Sequence, residues 1–345
     1  MFLKVLKERK KNHIPIWFMR QAGRTLPEYR ALREKTKSFW DLCLTPEHIV
    51  EITLQPIRRF HLDVAILFSD ILMVPRALGQ RGKLIEKIGP VLDSTFVHNP
   101  IQKRPDEIRT FFLPIQEAIR EIVRQKPKNC TLMGFAGGPW TVACYMVEGQ
   151  KTRHHEKIKA YAYEDPTRME ALLEYITDAT FNFLVAQVEA GVEALQIFET
   201  WGGILPEPYY QGWGLGPTIT LCRRLKARFP DLPLIYFPRQ GAPYYEIICR
   251  GLKDLISGIN LDHVVSAAQF RTLKKESIAF QGGVDPVFLM TGGPEMKKEI
   301  VRILNIFSDS PYIFNLSHGL LPETPIAHIQ AAIDCVRDIS LKRAA

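Results

Sequence analysis

Eight short, predominantly apolar runs recur along this 345-residue chain, at 16–19, 63–68, 131–135, 194–198, 234–237, 258–261, 278–280 and 312–315. Each opens at its C-terminal end into polar or glycine-rich residues. Helical patterns lie between them, for example over 166–190 and 217–229. A strand that is apolar on both faces needs cover on both faces, so such runs belong to a parallel sheet surrounded by helices. Eight strand–helix units in roughly 300 residues predict an α/β fold, a single (β/α)8 TIM barrel. A doubly wound open sheet is the alternative, but it rarely needs so many units, and no GxGxxG turn appears. No low-complexity linker or second core interrupts the pattern. Residues 1–345 therefore read as one barrel domain, with 1–13 as an N-terminal tail whose basic run, Lys7 to Lys11, is solvated. The Gly- and Lys-bearing segment 77–97 reads as a hairpin or loop insertion. Thr45-Pro46-Glu47 reads as a helix start, with the helix running to about Arg59, and a polar helix is expected over 26–37.

Composition narrows the function classes. The formal charge of +8 invites a nucleic-acid reading. Lys and Arg are spread along the whole chain, however, and no zinc-finger spacing or RRM-like aromatic motif accompanies them. An acidic small molecule explains the charge equally well. The six cysteines, Cys43, Cys130, Cys144, Cys222, Cys249 and Cys335, form no CxxC pair and lie mostly among apolar neighbours, as reduced thiols of a cytoplasmic protein do. The N-terminus carries no apolar h-region, and no apolar run approaches the ~18 residues of a membrane span, so neither secretion nor a membrane is expected.

In a barrel the strand ends gather on one face, where sites are built. That pools Arg20 and Arg24, Asp70, the Gly137 loop leading to Tyr145, Thr200, Asp262, Gln281 and His318. Arginine suits a bidentate grip on carboxylates because its planar fork matches theirs. Arg20 and Arg24, around Ala22-Gly23, are a candidate anion clamp or two solvated surface residues. Asp70 sits between apolar neighbours at a strand end, as a helix cap or as a lone carboxylate facing a cation or N–H donors in a dry pocket. The loop 134–141 lacks the GK[ST] ending of a phosphate cradle and suits a tight turn against a flat ligand. His318 is either a general base or a structural hydrogen-bonder. No His-x-Cys pair exists, and the adjacent His154 and His155 diverge on a helix, so no metal site is expected.

These motifs carry a resemblance. Pro15-Ile-Trp-Phe-Met-Arg20-Gln-Ala-Gly-Arg24 with Glu28-Tyr29, then Phe68-Ser-Asp70-Ile-Leu72, then Gly134-Phe-Ala-Gly-Gly-Pro-Trp-Thr141 with Tyr145-Met-Val-Glu-Gly149, then Gln281-Gly-Gly-Val-Asp-Pro286 and Asn315-Leu-Ser-His-Gly319, resemble in order the signatures of the uroporphyrinogen decarboxylase family, from about Pro15 to Val336. The resemblance implies a cofactor-free decarboxylase on a (β/α)8 barrel, a homodimer, acting in haem biosynthesis. It would remove the four acetate carboxylates of uroporphyrinogen III to leave methyl groups, giving coproporphyrinogen III and CO2. It implies that Arg20, Gln21, Ala22, Gly23 and Arg24 bind substrate carboxylates, that Phe39, Tyr145, Thr200 and His318 line the site, and that Asp70 holds the pyrrole N–H groups. Asp70, Arg20 and Tyr145 are the expected catalytic residues. Thr200-Trp201-Gly202-Gly203, Leu261-Asp262-His263 and Gly282-Gly283 depart locally from the family pattern. The competing readings are a zinc- and thiol-dependent corrinoid methyltransferase on a related barrel, and a non-catalytic tetrapyrrole carrier.

Overall fold

The computed structural model describes residues 1–85, 89–98, 103–150 and 152–344. Seven parallel strands form one curled sheet: β1 (Val64–Ile66), β4 (Thr131–Gly137), β5 (Ala194–Glu199), β6 (Leu234–Pro238), β7 (Gly258–Leu261), β8 (Ala279–Gly282) and β9 (Tyr312–Ile313), adjacent in that order. All seven match predicted runs. β2 (Gly82–Ile85) and β3 (Gly89–Leu92) pair antiparallel as a separate hairpin, inside the segment expected to hold one.

The first predicted run is not a full strand. Ile16 makes a single parallel bridge to Phe314. The segment nevertheless fills the eighth position. On one side Phe314 N–H donates to Pro15 O at 2.8 Å and Trp17 N–H to Phe314 O at 3.3 Å; on the other, Asp63 N–H donates to Ile16 O at 3.1 Å. Two features keep the ladder short. Pro15 has no N–H to give, and the Ile16 N–H is taken by the Asp63 carboxylate at 2.9 Å. The sheet thus closes on itself as a (β/α)8 barrel, the eighth staves being main-chain hydrogen bonds of 15–17.

Side chains alternate across this wall. Leu195 and Ile197 of β5, Leu234 and Tyr236 of β6 and Ile259 and Leu261 of β7 pack outward against the helices. Met133, Phe135, Ala194, Ile235, Phe237, Ala279 and Ile313 share a separate interior cluster. Each strand is apolar in both directions because both directions are buried, which is why no alternating pattern marks it in the sequence.

The N-terminal segment departs from expectation. Residues 2–8 were read as part of a solvated tail; they form the helix Phe2–Glu8, and Phe2, Val5 and Leu6 are buried in the barrel's interior cluster. Small residues at the lower strand ends leave room for them: Ala194, Ala279 and Gly258, where an added Cβ would stand 3.2 Å from Leu6 Cδ2. The basic residues lie on the outer side of this amphipathic turn, and Arg9 anchors it through Nη1 to Ser257 O at 2.6 Å. Among the helices, Pro46–Phe60 starts after Thr45 as predicted, although the Thr45 hydroxyl makes no cap bond. Pro166–Ala190 matches its predicted span and is capped by Asp165. The polar helix is shorter than predicted, Pro27–Glu34, with Pro27 in its first turn.

Candidate active site

The strand ends carry an aromatic floor. Phe135 of β4, Phe198 of β5 and Phe237 of β6 stand in sequence, with ring centroids 5.5 Å and 5.2 Å apart, and the His318 ring lies 6.1 Å beyond Phe237. Among the apolar side chains of the barrel interior runs a buried amide network. Trp17 Nε1 donates to Gln281 Oε1 at 2.9 Å, and Gln281 Nε2 donates to Gln196 Oε1 at 2.9 Å and to Asn260 Oδ1 at 3.0 Å. Gln281, pooled with the site on sequence grounds, therefore belongs to the barrel core beneath it.

The Arg20 loop folds tightly over the mouth. Phe18 N–H donates to Gln21 Oε1 at 3.0 Å, and Gln21 Nε2 donates to Val64 O at 2.9 Å. Both ends of the buried Gln21 amide thereby shape the loop. Arg20 sits in the left-handed region at φ 63, a conformation that costs a non-glycine residue about 1–2 kcal/mol. Its aliphatic stem occupies the space where Gly319 would otherwise carry a Cβ. Arg20 reaches solvent at the mouth, yet protein crowds its charge. Burial pushes the guanidinium down from its ordinary value, Arg239 and Arg24 push the same way, and Tyr145 and Asp70 oppose them. Ala22 and Gly23 form the turn between the two arginines, and Arg24 is exposed beside them.

Asp70 follows β1. Its Oδ1 accepts the Leu72 N–H at 2.8 Å and its carbonyl accepts Met73 N–H at 3.1 Å. The capping role is real, but it uses one carboxylate oxygen only. Burial pushes the Asp70 carboxyl up to about 6, against the pull of the Leu72 amide and of Arg20. Phe68 just before it packs on Phe39 and Tyr29, with centroids 6.2 and 5.9 Å away, so the acid stands at an apolar rim. Tyr145 projects from the helix Pro139–Glu148. Burial raises its phenol, a hydrogen bond with the Trp201 side chain lowers it, and Asp70 and Arg20 act on it from nearby. Arg20, Asp70 and Tyr145, drawn from well-separated parts of the chain, therefore share one small volume.

The sequence matches the profile described as uroporphyrinogen decarboxylase (URO-D) over residues 1–339. The chain belongs to the uroporphyrinogen decarboxylase family. It is 41% identical over 337 residues to a uroporphyrinogen decarboxylase of Rhodospirillum rubrum, covering 97% of this chain and 96% of that one. It is 40% identical to the enzyme of the same name from Chelativorans sp., covering 94% of each. A methyltransferase from Methanosarcina mazei shares the fold, with a TM-score of 0.77 over 98% of this chain and 97% of that one, at 15% sequence identity. No group of three or more His, Cys, Asp or Glu suited to a metal ion occurs among the described residues.

Measured against the uroporphyrinogen decarboxylase signatures, the site gathers Arg20, Arg24, Asp70 and Tyr145 and adds residues that sequence reasoning missed. The first is Glu199, at the end of β5 and wholly buried. Its carboxyl meets the Thr141 hydroxyl, and that hydroxyl accepts the Trp201 N–H at 3.0 Å. Burial pushes Glu199 up to about 8, against the Thr141 hydroxyl and the amides of Thr141, Trp140 and Trp201. It ties the Tyr145 helix to the loop carrying Thr200, which is half-buried at the mouth. The second is Arg239, after β6, with its guanidinium 5.3 Å from the centroid of the Trp201 ring. Asp262, which the sequence placed in the site, serves this loop: its carboxylate accepts Gln240 N–H at 3.0 Å and Ala242 N–H at 3.1 Å. The available signal was position alone, since both Glu199 and Arg239 end predicted strands. His318 accepts the Gly319 N–H on Nδ1 at 2.7 Å, which leaves a proton on Nε2 in the neutral ring. By contrast, a surface groove of about 490 Å3 lined by Glu47, Glu117, Arg120 and Arg124 lies between the outer helices Pro46–Phe60 and Leu113–Gln125 and includes none of these residues.

Proposed function

We propose that the strand-end face binds uroporphyrinogen III and that the chain removes its four acetate carboxylates, yielding coproporphyrinogen III and CO2. The observation that carries this reading is the Asp70 carboxylate, set at an apolar rim beneath a mouth edged by Arg20, Arg24 and Arg239. The arginines suit the peripheral carboxylates of the macrocycle, and the one central acid suits its pyrrole N–H groups. Phe39, Phe135, Phe198 and Phe237 offer flat apolar contact and keep water off the rings.

Decarboxylation next to a pyrrole needs an electron sink. Protonation of the ring carbon next to the one that bears the acetate gives a cation, with its charge on the acetate-bearing carbon and conjugated to the pyrrole nitrogen. The C–C bond to the carboxylate then breaks, CO2 leaves, and its electron pair enters the ring. A second proton at the exocyclic carbon completes the methyl group, and loss of the ring proton restores the pyrrole, so each cycle consumes one proton net. Ionised Asp70 beneath the ring stabilises the cation, and the effect is large because the site is dry. At neutral pH a carboxyl titrating at about 6 is mostly ionised. Arg20, beside Tyr145, holds the reacting acetate; Arg24 and Thr200 hold further side chains of the macrocycle; His318 presents Nε2–H toward it. No cofactor enters this chemistry. The chain is read as one domain, a homodimer, working in the cytoplasm; family resemblance supports these finer points, and no helix among the described residues is long and apolar enough to cross a membrane.

The test is to incubate purified protein with uroporphyrinogen III, anaerobically and in the dark, and to follow the carboxylate count of the products by chromatography. Stepwise loss ending at the tetracarboxylate supports the reading. Tight binding without turnover would make the chain a carrier, and activity that chelators abolish and zinc restores would revive a metal-dependent chemistry.

A further inference from the structure

The site contains more positive charge than its protein partners balance. Arg20, Arg24 and Arg239 form no ion pair among the described residues. For Arg24 that is unremarkable, because it is exposed. Arg239 differs. It is half-buried, its guanidinium lies over Trp201, and burial pushes it down from its ordinary value. Asp262 pulls on it electrostatically, but both Asp262 oxygens are taken by main-chain amides, so this desolvated cation has no carboxylate bonded to it, which marks a place where a ligand supplies the partner.

The main chain around Arg239 is built to hold it there. Pro238 precedes it as the last residue of β6. Gln240 follows in the left-handed region at φ 56. Both oxygens of Asp262 are occupied by the amides of Gln240 and Ala242, so the loop is clasped to the end of β7 while the Arg239 side chain stays unpaired. Gly203 lets the neighbouring β5 loop lie flat against this clasp: a Cβ there would stand 3.1 Å from Arg239 O and 2.7 Å from Gln240 O. A surface arginine needs none of this. Across the mouth, Arg239 lies within electrostatic reach of Arg20 and Tyr145.

We propose that Arg239 is a further specificity-determining residue, a carboxylate anchor on the β6 side of the mouth that grips a peripheral carboxylate of the polycarboxylate macrocycle opposite the Arg20–Arg24 loop. The proposal rests on the substrate class named above. It also explains why two arginines on one loop do not suffice: a flat ligand with acids around its whole rim is held in register only when cations meet it from more than one side.

The test separates this proposal from the decarboxylase reading by measuring binding and turnover apart. Uroporphyrin, the oxidised and stable polycarboxylate ring, is titrated into the parent protein, Arg239→Gln and Arg239→Lys, with tryptophan fluorescence as the signal. The expected result is a dissociation constant raised about 10- to 100-fold by Arg239→Gln, the range of one lost charge-assisted hydrogen bond, with most of it recovered in Arg239→Lys. In the decarboxylation assay KM should rise in parallel while kcat stays within about threefold, because a rim anchor acts on ground state and transition state alike. The melting temperature should fall little, since the substitution loses only the contact with the Trp201 ring and the distant pull of Asp262 while relieving a desolvated charge. An Arg239→Gln variant that binds uroporphyrin within twofold of the parent would overturn the proposal even if the enzyme decarboxylates normally. A fall in kcat with unchanged binding would overturn it too. If the parent failed to decarboxylate, the titration would still decide whether Arg239 is an anchor.

Discussion

At Asp70 two demands conflict. The proposed function asks for a carboxylate in a dry place, and folding disfavours one there. The linkage has a definite sign. Asp70 moves from an ordinary 3.8 to about 6 on folding, so the folded state holds the extra proton between those values, and stability falls as pH rises from about 4 to about 6. Replacing Asp70 by Asn removes the charge and keeps the shape. The variant should melt above the parent at pH 8, with the gain shrinking toward pH 4.5, as read by thermal denaturation at the two pH values. Its turnover should drop on the order of 10²–10³-fold, the usual loss for a preorganised charge aimed at a transition state. The loss should fall on kcat more than on KM. An Asp70→Asn enzyme with near-parental kcat would reduce Asp70 to its bond with Leu72. The acid was legible in the sequence because Ser69-Asp70 interrupts an apolar run. Its partner Arg20 was legible too. The left-handed backbone that aims Arg20 across Gly319 was not, because φ is decided by contacts between residues three hundred positions apart.

Between elements, Glu199 is the fastener, and it depends on a glycine. A Cβ at Gly138, the residue ahead of the helix Pro139–Glu148, would overlap the Glu199 carboxylate. Gly138→Ala should therefore push the helix and Tyr145 out of place and lower kcat/KM. Glu199→Asp withdraws the carboxyl by one methylene, leaves a small void and weakens the bond to Thr141. The two changes relieve one another, because the shorter acid makes the space that the methyl needs. The double variant should recover stability and kcat/KM relative to Gly138→Ala alone, as a coupling energy in a double-mutant cycle of urea midpoints and rates. Simple additivity would mean that the two residues do not touch. Sequence reasoning treated Gly137-Gly138 as room for a ligand. The structure uses Gly138 for a buried side chain instead, and nothing local could distinguish the two, since both ask only for a missing Cβ.

Across the whole molecule, the barrel is stoppered at one end and open at the other. The stopper is the helix Phe2–Glu8. Phe2 is fully buried among Val64, Ala194 and Ile235 of the interior cluster. Phe2→Ala should cost about 3–5 kcal/mol, the range for a large aromatic removed from a core, measured by urea denaturation. KM should be unchanged, because the stopper lies at the end of the barrel away from the mouth. A loss under ~1 kcal/mol would restore the segment to a dispensable tail. Its burial was hidden because a run of Lys around three apolar residues reads as solvated, whereas a short amphipathic helix needs only one apolar stripe to enter a core.

By itself the sequence determined the order of strands and helices and therefore the barrel, since strands apolar on both faces can be satisfied only by a closed or covered parallel sheet. It also determined the residue types of the site, because Arg20, Arg24, Asp70 and Tyr145 sit in motifs long enough to mark a family. The tertiary structure alone decided three things: that 15–17 close the ring without forming a strand, that Gln281 lies in a buried amide network and Asp262 in a backbone clasp, and that Glu199 meets Thr141 of the Tyr145 helix while Arg239 comes within electrostatic reach of Arg20. The physical reason is the same in each case. Strand identity follows from hydrophobic pattern, which is local. Whether a polar side chain faces substrate, core or main chain depends on which partner reaches it first, and those partners arrive from other strands around the barrel.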